Sequence, residues 1–157
     1  LDSVWNQTHE NLTLYVVDNL STDTTLDILR NDKDSRLVVS KNETNFGVAK
    51  ANNQGIKKAI DDGCNQILII NNDVEFETTL IEKLLKVQAD KCCSLVSPKM
   101  MYFDNPNHIW YAGSNFIKRN GYHFFNENEN FDYSSTGDCI CLKFCRVIPY
   151  GHKISVM

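Results

Sequence analysis

The chain has 157 residues, 42% of them hydrophobic and 23% charged, which is enough for a core of its own and the balance of an ordinary globular domain. A net charge of −4 excludes a dedicated nucleic-acid or anionic-membrane binder, because no basic surplus neutralises phosphates. A metal-assisted phosphate site stays open, and no apolar run approaches the roughly 20 residues of a transmembrane segment.

Leu1 to Gln7 reads as the tail of a helix. Leu12-Thr13-Leu14-Tyr15-Val16-Val17 predicts a strand that ends at Asp18-Asn19. Ser21-Thr22-Asp23 then offers capping oxygens for a helix from Thr24 to Arg30. Arg36 to Ser40 is a second strand. Val48, Ala51, Gly55, Ile56, Ala59 and Ile60 recur at helical intervals, and Gly63 closes that helix. Ile67-Leu68-Ile69-Ile70 is short and β-branched, so it predicts a buried strand running straight into Asn71-Asn72-Asp73. Leu80, Ile81, Leu84, Leu85 and Gln88 define the face of a helix from about Glu77 to Lys91, and Ser94 to Ser97 is a fourth strand stopped by Pro98. Such alternation predicts an α/β fold with a mostly parallel sheet covered on both faces.

After Pro98 the pattern changes to short aromatic-rich segments, at Met100 to Phe103, Ile109 to Ala112, Phe116 to Lys118 and Tyr122 to Phe125. They predict a small α+β appendage, with a polar loop at Asn126 to Asn130 and a last apolar segment at Ile140 to Val147. The six cysteines lack the paired spacing of a structural zinc site, and Cys139 and Cys141 sit at strand period. The expectation is reduced, buried thiols and hence a cytoplasmic location, with the inner face of a membrane as a second address. His9, His108, His123 and His152 are scattered and read as surface or satisfied core residues.

Chemistry concentrates at three strand ends. The first releases Asp18-Asn19 with Ser21 and Asp23, the second Asn42, Asn45 and Gly47, the third Asn71 and Asp73. In a parallel sheet these ends share one edge, where open α/β sheets bind ligands. A carboxylate at Asp18 can accept from a base imide or ribose hydroxyls, and one at Asp73 can hold Mg²⁺ or Mn²⁺. The competing reading is that each Asp or Asn caps a turn or a helix start, Asp23 above all.

Val16-Val17-Asp18-Asn19-x-Ser21-x-Asp23-x-Thr25 resembles the signature of glycosyltransferase family 2, which has the GT-A fold. Asn45-Phe46-Gly47-Val48-Ala49 with Asn53-x-Gly55-Ile56 is similar to a second segment of that family. Asn71-Asn72-Asp73 resembles the N-N-D form of its metal motif in rhamnosyltransferase-like members, and Ser97-Pro98-Lys99-Met100, Ile109 to Gly113 and Thr136-Gly137 match looser landmarks. The resemblance spans nearly the whole chain in order.

It implies an inverting, metal-assisted transfer of a sugar from a UDP- or dTDP-sugar to a hydroxyl of a glycan, lipid or protein acceptor. By the same resemblance residues 1–98 form the nucleotide-binding half, and 99–157 begin the acceptor and sugar side. Asp18 would contact the base, with Asn19, Ser21 and Asp23 shaping that pocket. Asn45, Gly47 and Asn53 would lie beside the nucleotide, Asp73 on the metal and diphosphate, and Asn71 in the outer shell or on the ribose. Trp110, Gly113, Thr136 and Gly137 would line the sugar or acceptor side.

Two positions depart from the family pattern: Asn52 stands where many members have Arg, and Asn71 where the metal motif has Asp. The family's first strand and its T-Y-N loop find no counterpart before Leu1, and the segment carrying the general base none before Met157. The expectation is an internal fragment of a longer enzyme, with the catalytic base beyond Met157. The alternatives are a nucleotide-binding α/β module without transfer chemistry, a degenerate relative used for protein contacts, and a nucleotidyltransferase. That last class wants a glycine-rich basic loop after its first strand, and none is visible.

Overall fold

The computed structural model describes residues 1–112, together with the strand backbones at 114–117, 121–124, 139–142 and 154–156. The elements in chain order are α1 (Asp2–Trp5), β1 (Leu12–Asp18), α2 (Thr25–Asn31), β2 (Leu37–Lys41), α3 (Val48–Asp61) and β3 (Gln66–Leu68). There follow α4 (Leu80–Lys91), β4 (Leu95–Pro98), β5 (Met100–Met101), β6 (Ile109–Tyr111), β7 (Ser114–Ile117), β8 (Gly121–Phe124), β9 (Cys139–Leu142) and β10 (Ile154–Val156). Contacts divide the chain into two units, Leu1–Thr79 with Pro149–Met157, and Leu80–Ile148.

The first unit holds a four-stranded sheet in the order β2-β1-β10-β3, with every pairing parallel. The α/β reading with a parallel sheet and helices of GT-A type therefore stands. β1 pairs with β2 over its upper half, from Leu14 opposite Leu37 to Asp18 opposite Lys41. β10 bridges β1 and β3 at their lower ends, setting Leu14, Val156 and Leu68 at one level.

Two expectations are corrected. The strand expected over Ile67 to Ile70 is Gln66–Leu68, and Ile69 is 51% exposed. Among the described strands β3 lies at the sheet edge with one neighbour, whereas a buried parallel strand needs neighbours on both sides and cover on both faces. The segment around Ser94 to Ser97 does not extend the parallel sheet. It forms β4, which runs antiparallel to β9 in a separate ladder, with Val96 opposite Cys141.

α3 lies against β1 because its facing stripe is small. Ala51, Gly55 and Ala59 recur every four residues and are buried, Ala59 completely at 0%. Tyr15, Ala59 and Cys64 form a core cluster with Val38 packed on it. Val48 and Ile60, expected on this face, fall outside the stripe; Val48 is 73% exposed. The helix ends in a Schellman motif, with Cys64 N–H donating to Ala59 O and Gly63 N–H to Ile60 O, both at 2.9 Å. Gly63 supplies the positive φ of 86° that this motif needs. Just before it, Asp62 accepts from the Tyr15 hydroxyl at 2.9 Å and from Lys58 Nζ at 2.8 Å. Burial, reinforced by that hydrogen bond, raises the Tyr15 phenol well above the ordinary tyrosine range.

At the opposite edge of the sheet a polar cluster fixes the entry to β2. Arg36 grips Asp34 with Nε at 2.9 Å and Nη2 at 2.7 Å, while its guanidinium lies 4.9 Å from the centroid of the Trp5 ring. Trp5 Nε1–H donates to Asp32 Oδ2 at 2.8 Å. Hydrogen bonds from Arg36 hold the Asp34 carboxyl down at about 2. The buried Gln7 amide donates to Ser3 O and Glu77 O, both at 2.8 Å, and Thr8 N–H to Thr78 O at 2.8 Å. Residues 7 and 8 are thereby tied to 77 and 78. His9, expected at the surface or satisfied in the core, keeps a buried Nε2 with no hydrogen-bond partner among the described residues.

In the second unit α4 buries Leu80, Ile81 and Leu84 and packs against β4 and β9. β5 and β6 pair antiparallel, as do β7 and β8, so short strands do follow Pro98. The Asn126 to Asn130 loop lies outside the described residues. Cys64 and Cys92 are free thiols, but Cys93, buried just ahead of β4, is disulfide-bonded. The antiparallel ladder runs two cysteine-bearing stretches of chain side by side, which sequence spacing does not reveal. The expectation of reduced thiols fails for Cys93 and holds for Cys64 and Cys92. Among the described residues no helix is long and apolar enough to cross a membrane.

Two tests follow from this packing. Ala59→Leu forces a branched side chain into the closed α3–β1 contact and is expected to cost about 1–3 kcal/mol in urea unfolding. Asp34 has its folded pKa below its unfolded value of 3.8, so its contribution is present above that value and lost as pH falls toward about 2. Unfolding titrations from pH 5 to 2 should show this loss, and Arg36→Met should flatten it.

Candidate functional site

Parallel pairing brings the carboxyl ends of β1, β2 and β3 to one edge, all within the first unit. Asp18 closes β1 and is 3% exposed. Its carboxylate accepts from the Ser21 N–H, at 3.2 Å on Oδ1 and 3.4 Å on Oδ2, and its backbone oxygen accepts from Asn42 N–H at 2.8 Å. The turn between Asp18 and Ser21 passes through Leu20 at φ 74°, left-handed backbone that a leucine rarely adopts.

Beyond this turn Asp23 is fully exposed, and its Oδ1 accepts from Thr25 N–H at 3.0 Å where α2 begins. Hydrogen bonding to Thr25 lowers the Asp23 pKa. This is an Asx turn one residue ahead of the helix's N-cap, Thr24, the turn role that competed with a ligand role in the sequence.

A chain of side-chain amides joins the first two strand ends. Asn42, 8% exposed, donates to Asn19 Oδ1 at 3.1 Å and to Gln54 Oε1 at 2.9 Å, and Gln54 Nε2 donates back to Asn42 Oδ1 at 3.1 Å. Asn19 Oδ1 also accepts from Phe46 N–H at 3.0 Å, while its Nδ2 donates to Asn45 Oδ1 at 2.8 Å. Asn45 Oδ1 in turn accepts from Gly47 N–H at 2.9 Å. The loop ahead of α3 is thus sewn to the end of β1 through side chains.

Gly47 has φ 79° and ψ 161°, a region essentially reserved for glycine, and leads into α3 without a side-chain cap. The uncapped N–H groups and dipole of a helix start favour an anion. Lys50, in the first turn, places Nζ 3.5 Å from the centroid of the exposed Phe46 ring. Asn53 lies further along α3 and is exposed.

Asn71 and Asp73 are exposed, with Asp73 in a turn past the end of β3. The register puts this segment two strand positions from β1, about 10 Å at the usual strand spacing. No described hydrogen bond joins it to the Asp18–Asn45 group. No three His, Cys, Asp or Glu residues gather to hold a metal among the described residues. Mg²⁺ and Mn²⁺ are commonly held by one or two carboxylates completed by substrate phosphates and water. The donors at 71–73 fit a cation that arrives with a diphosphate, not a cage built wholly of protein.

Trp110 belongs to β6 in the other unit and is exposed, its ring tilted 6.4 Å from Tyr111. Gly113, Thr136 and Gly137 lie outside the described residues. Asn42 was visible as a strand-end residue but not as a site residue, and Gln54 was not singled out at all. Its one signal was its place beside the Ala51–Gly55 stripe of α3, on the edge of the face that meets the sheet.

A parallel sheet whose carboxyl edge carries a buried carboxylate, a loop tied by side-chain amides and a helix start is an α/β domain of the kind in which open sheets bind ligands at that edge. The chain belongs to glycosyl transferase family 2, whose sequence profile matches residues 1–149. It is also 35% identical over 85 residues to an uncharacterized glycosyltransferase of Haemophilus influenzae, a match that takes in 53% of this chain and 33% of that protein. The chain thus covers about a third of the length of that curated relative. No solved structure matches it significantly.

The backbone of the site can be tested apart from any ligand. Gly47→Ala meets no atom within 4 Å, so its expected cost of about 1–3 kcal/mol in urea unfolding is conformational alone. Leu20→Gly relaxes the left-handed residue and should leave stability unchanged or raise it; a loss above 1 kcal/mol contradicts the strain at that turn.

Proposed function

We propose that this chain is the donor-binding part of a glycosyltransferase that moves a sugar from a UDP- or dTDP-sugar to an acceptor hydroxyl with inversion. The observation that carries the reading is the buried Asp18 carboxylate at the carboxyl edge of β1, beside a loop fixed to that strand by Asn19, Asn42 and Asn45. Among the described residues this carboxylate accepts from Ser21 N–H alone, which keeps acceptor capacity for an imide N–H or a ribose hydroxyl.

On this reading Asp18 and the Ser21 turn select the nucleoside, and the 45–47 loop with the start of α3 faces the diphosphate. Asp73, assisted by Asn71, would hold a Mg²⁺ or Mn²⁺ ion. When bound, the cation would supply positive charge to the diphosphate leaving group. One bond forms, from the acceptor oxygen to the anomeric carbon, as the bond from that carbon to the diphosphate oxygen breaks on the opposite face. The group that takes the acceptor's proton is assigned to no residue here. Trp110 and the 113 and 136–137 positions belong to the sugar and acceptor side on this reading, and a rhamnosyl-type donor is the subgroup's expectation.

Binding of a fluorescent UDP-sugar and a dTDP-sugar, each with Mn²⁺ and with EDTA, tests the proposal. Asp18→Ala should weaken binding at least about tenfold under both conditions, the loss of one or two hydrogen bonds to a charged group. Asp73→Ala should remove only the gain conferred by Mn²⁺. Wild-type affinity in both variants would sink the site.

A further inference from the structure

We infer that Gln54 is a positioning residue for the nucleotide edge, acting through Asn42 and Asn19 to hold the 45–47 loop in its ligand-competent form. The inference rests on the donor-binding reading above and extends it to α3, which no sequence motif implicated at this residue.

Asn42 is nearly buried, so both ends of its amide need partners. Gln54 meets both, accepting from Nδ2 at 2.9 Å and donating to Oδ1 at 3.1 Å. That reciprocal pair satisfies both ends of the Asn42 amide and holds it in place, while its direction is set from the loop, where Phe46 N–H requires the Asn19 oxygen and that oxygen the Asn42 nitrogen. Only in this orientation does the second Nδ2 hydrogen reach Asn19 Oδ1 at 3.1 Å. Asn19 is then set with its oxygen toward Phe46 N–H at 3.0 Å and its nitrogen toward Asn45 Oδ1 at 2.8 Å. A flipped Asn42 would present an oxygen to the Asn19 oxygen, and the loop would lose its tether.

Gln54 thus anchors, through two intervening amides, the side chains that accept from the backbone N–H groups of Phe46 and Gly47. It sits on α3, whose small-residue stripe seats it against β1, so the reference point is a rigid element. The loop itself has no buried residue from Glu43 to Gly47, nor has the first turn of α3 to Lys50. Side-chain amides, not packing, hold it.

Three variants of the full chain provide the test. Gln54→Met keeps the length of the side chain and loses both hydrogen bonds, Gln54→Glu keeps the acceptor alone, and Asp18→Ala reports on the nucleotide reading. Amide hydrogen exchange at Phe46 and Gly47 should quicken about tenfold or more in Gln54→Met and less in Gln54→Glu, while Val38 and Tyr15 in the sheet stay unchanged. UDP and dTDP affinity, measured by calorimetry, should fall about five- to tenfold in Gln54→Met. Unchanged exchange at Phe46 and Gly47 overturns the tether. Wild-type affinity in Gln54→Met, with affinity lost in Asp18→Ala, overturns the role of Gln54 alone. Wild-type affinity in both variants, or no binding by the native chain, overturns the nucleotide reading and this role with it.

Discussion

The parallel register of β1 on β2 is the constraint on which the rest of the first unit depends. It sets Asp18 opposite Lys41, so the next residue of each strand, Asn19 and Asn42, emerges at the same height one strand spacing apart. Two side-chain amides at that separation can bond directly, and they do, at 3.1 Å. A slip of one residue would turn Asn42 to the other face of the sheet and leave Asn19 without it. The loop geometry, the reach of Gln54 and the exposure of the α3 start all follow from this one alignment.

What holds the register is apolar. Tyr15 faces Ala59 and Cys64 beneath α3, with Val38 of β2 against the same cluster. The small stripe of α3 lets helix and sheet backbones come close, and the Schellman turn at Gly63 returns the chain to Cys64 in the same core. Polar precision at the rim is therefore borrowed from apolar packing a few residues below. This division is common in α/β domains, where a rigid scaffold positions loops that carry function.

Much of this was legible in the sequence, for reasons that differ by element. The positions of β1, β2, α2 and α3 follow from apolar periodicity and from Gly63, which are local signals. The convergence of Asp18, Asn42 and Asn45 follows from strand-helix alternation alone, since parallel ends share an edge. The Ile67 to Ile70 run misled because apolar content reports burial only where neighbours exist, and β3 has one neighbour among the described strands. β4 misled for a related reason: its antiparallel partner β9 lies far along the chain, and so does the pairing that brings Cys93 and the β9 cysteines into one unit. Gln54 was hidden because a hydrogen bond between amides twelve residues apart leaves no periodic trace.

The place of β10 in the sheet has a consequence for how the molecule forms. β1, β2 and α3 are close in sequence and can assemble through short loops, whereas the strand between β1 and β3 arrives from residues 154–156. Closure over so long a separation is entropically costly and slow. Asn19, Asn42, Asn45 and Gln54 all lie within the early, local part. The rim that meets the ligand can be laid down while the middle of the sheet still waits for its last strand.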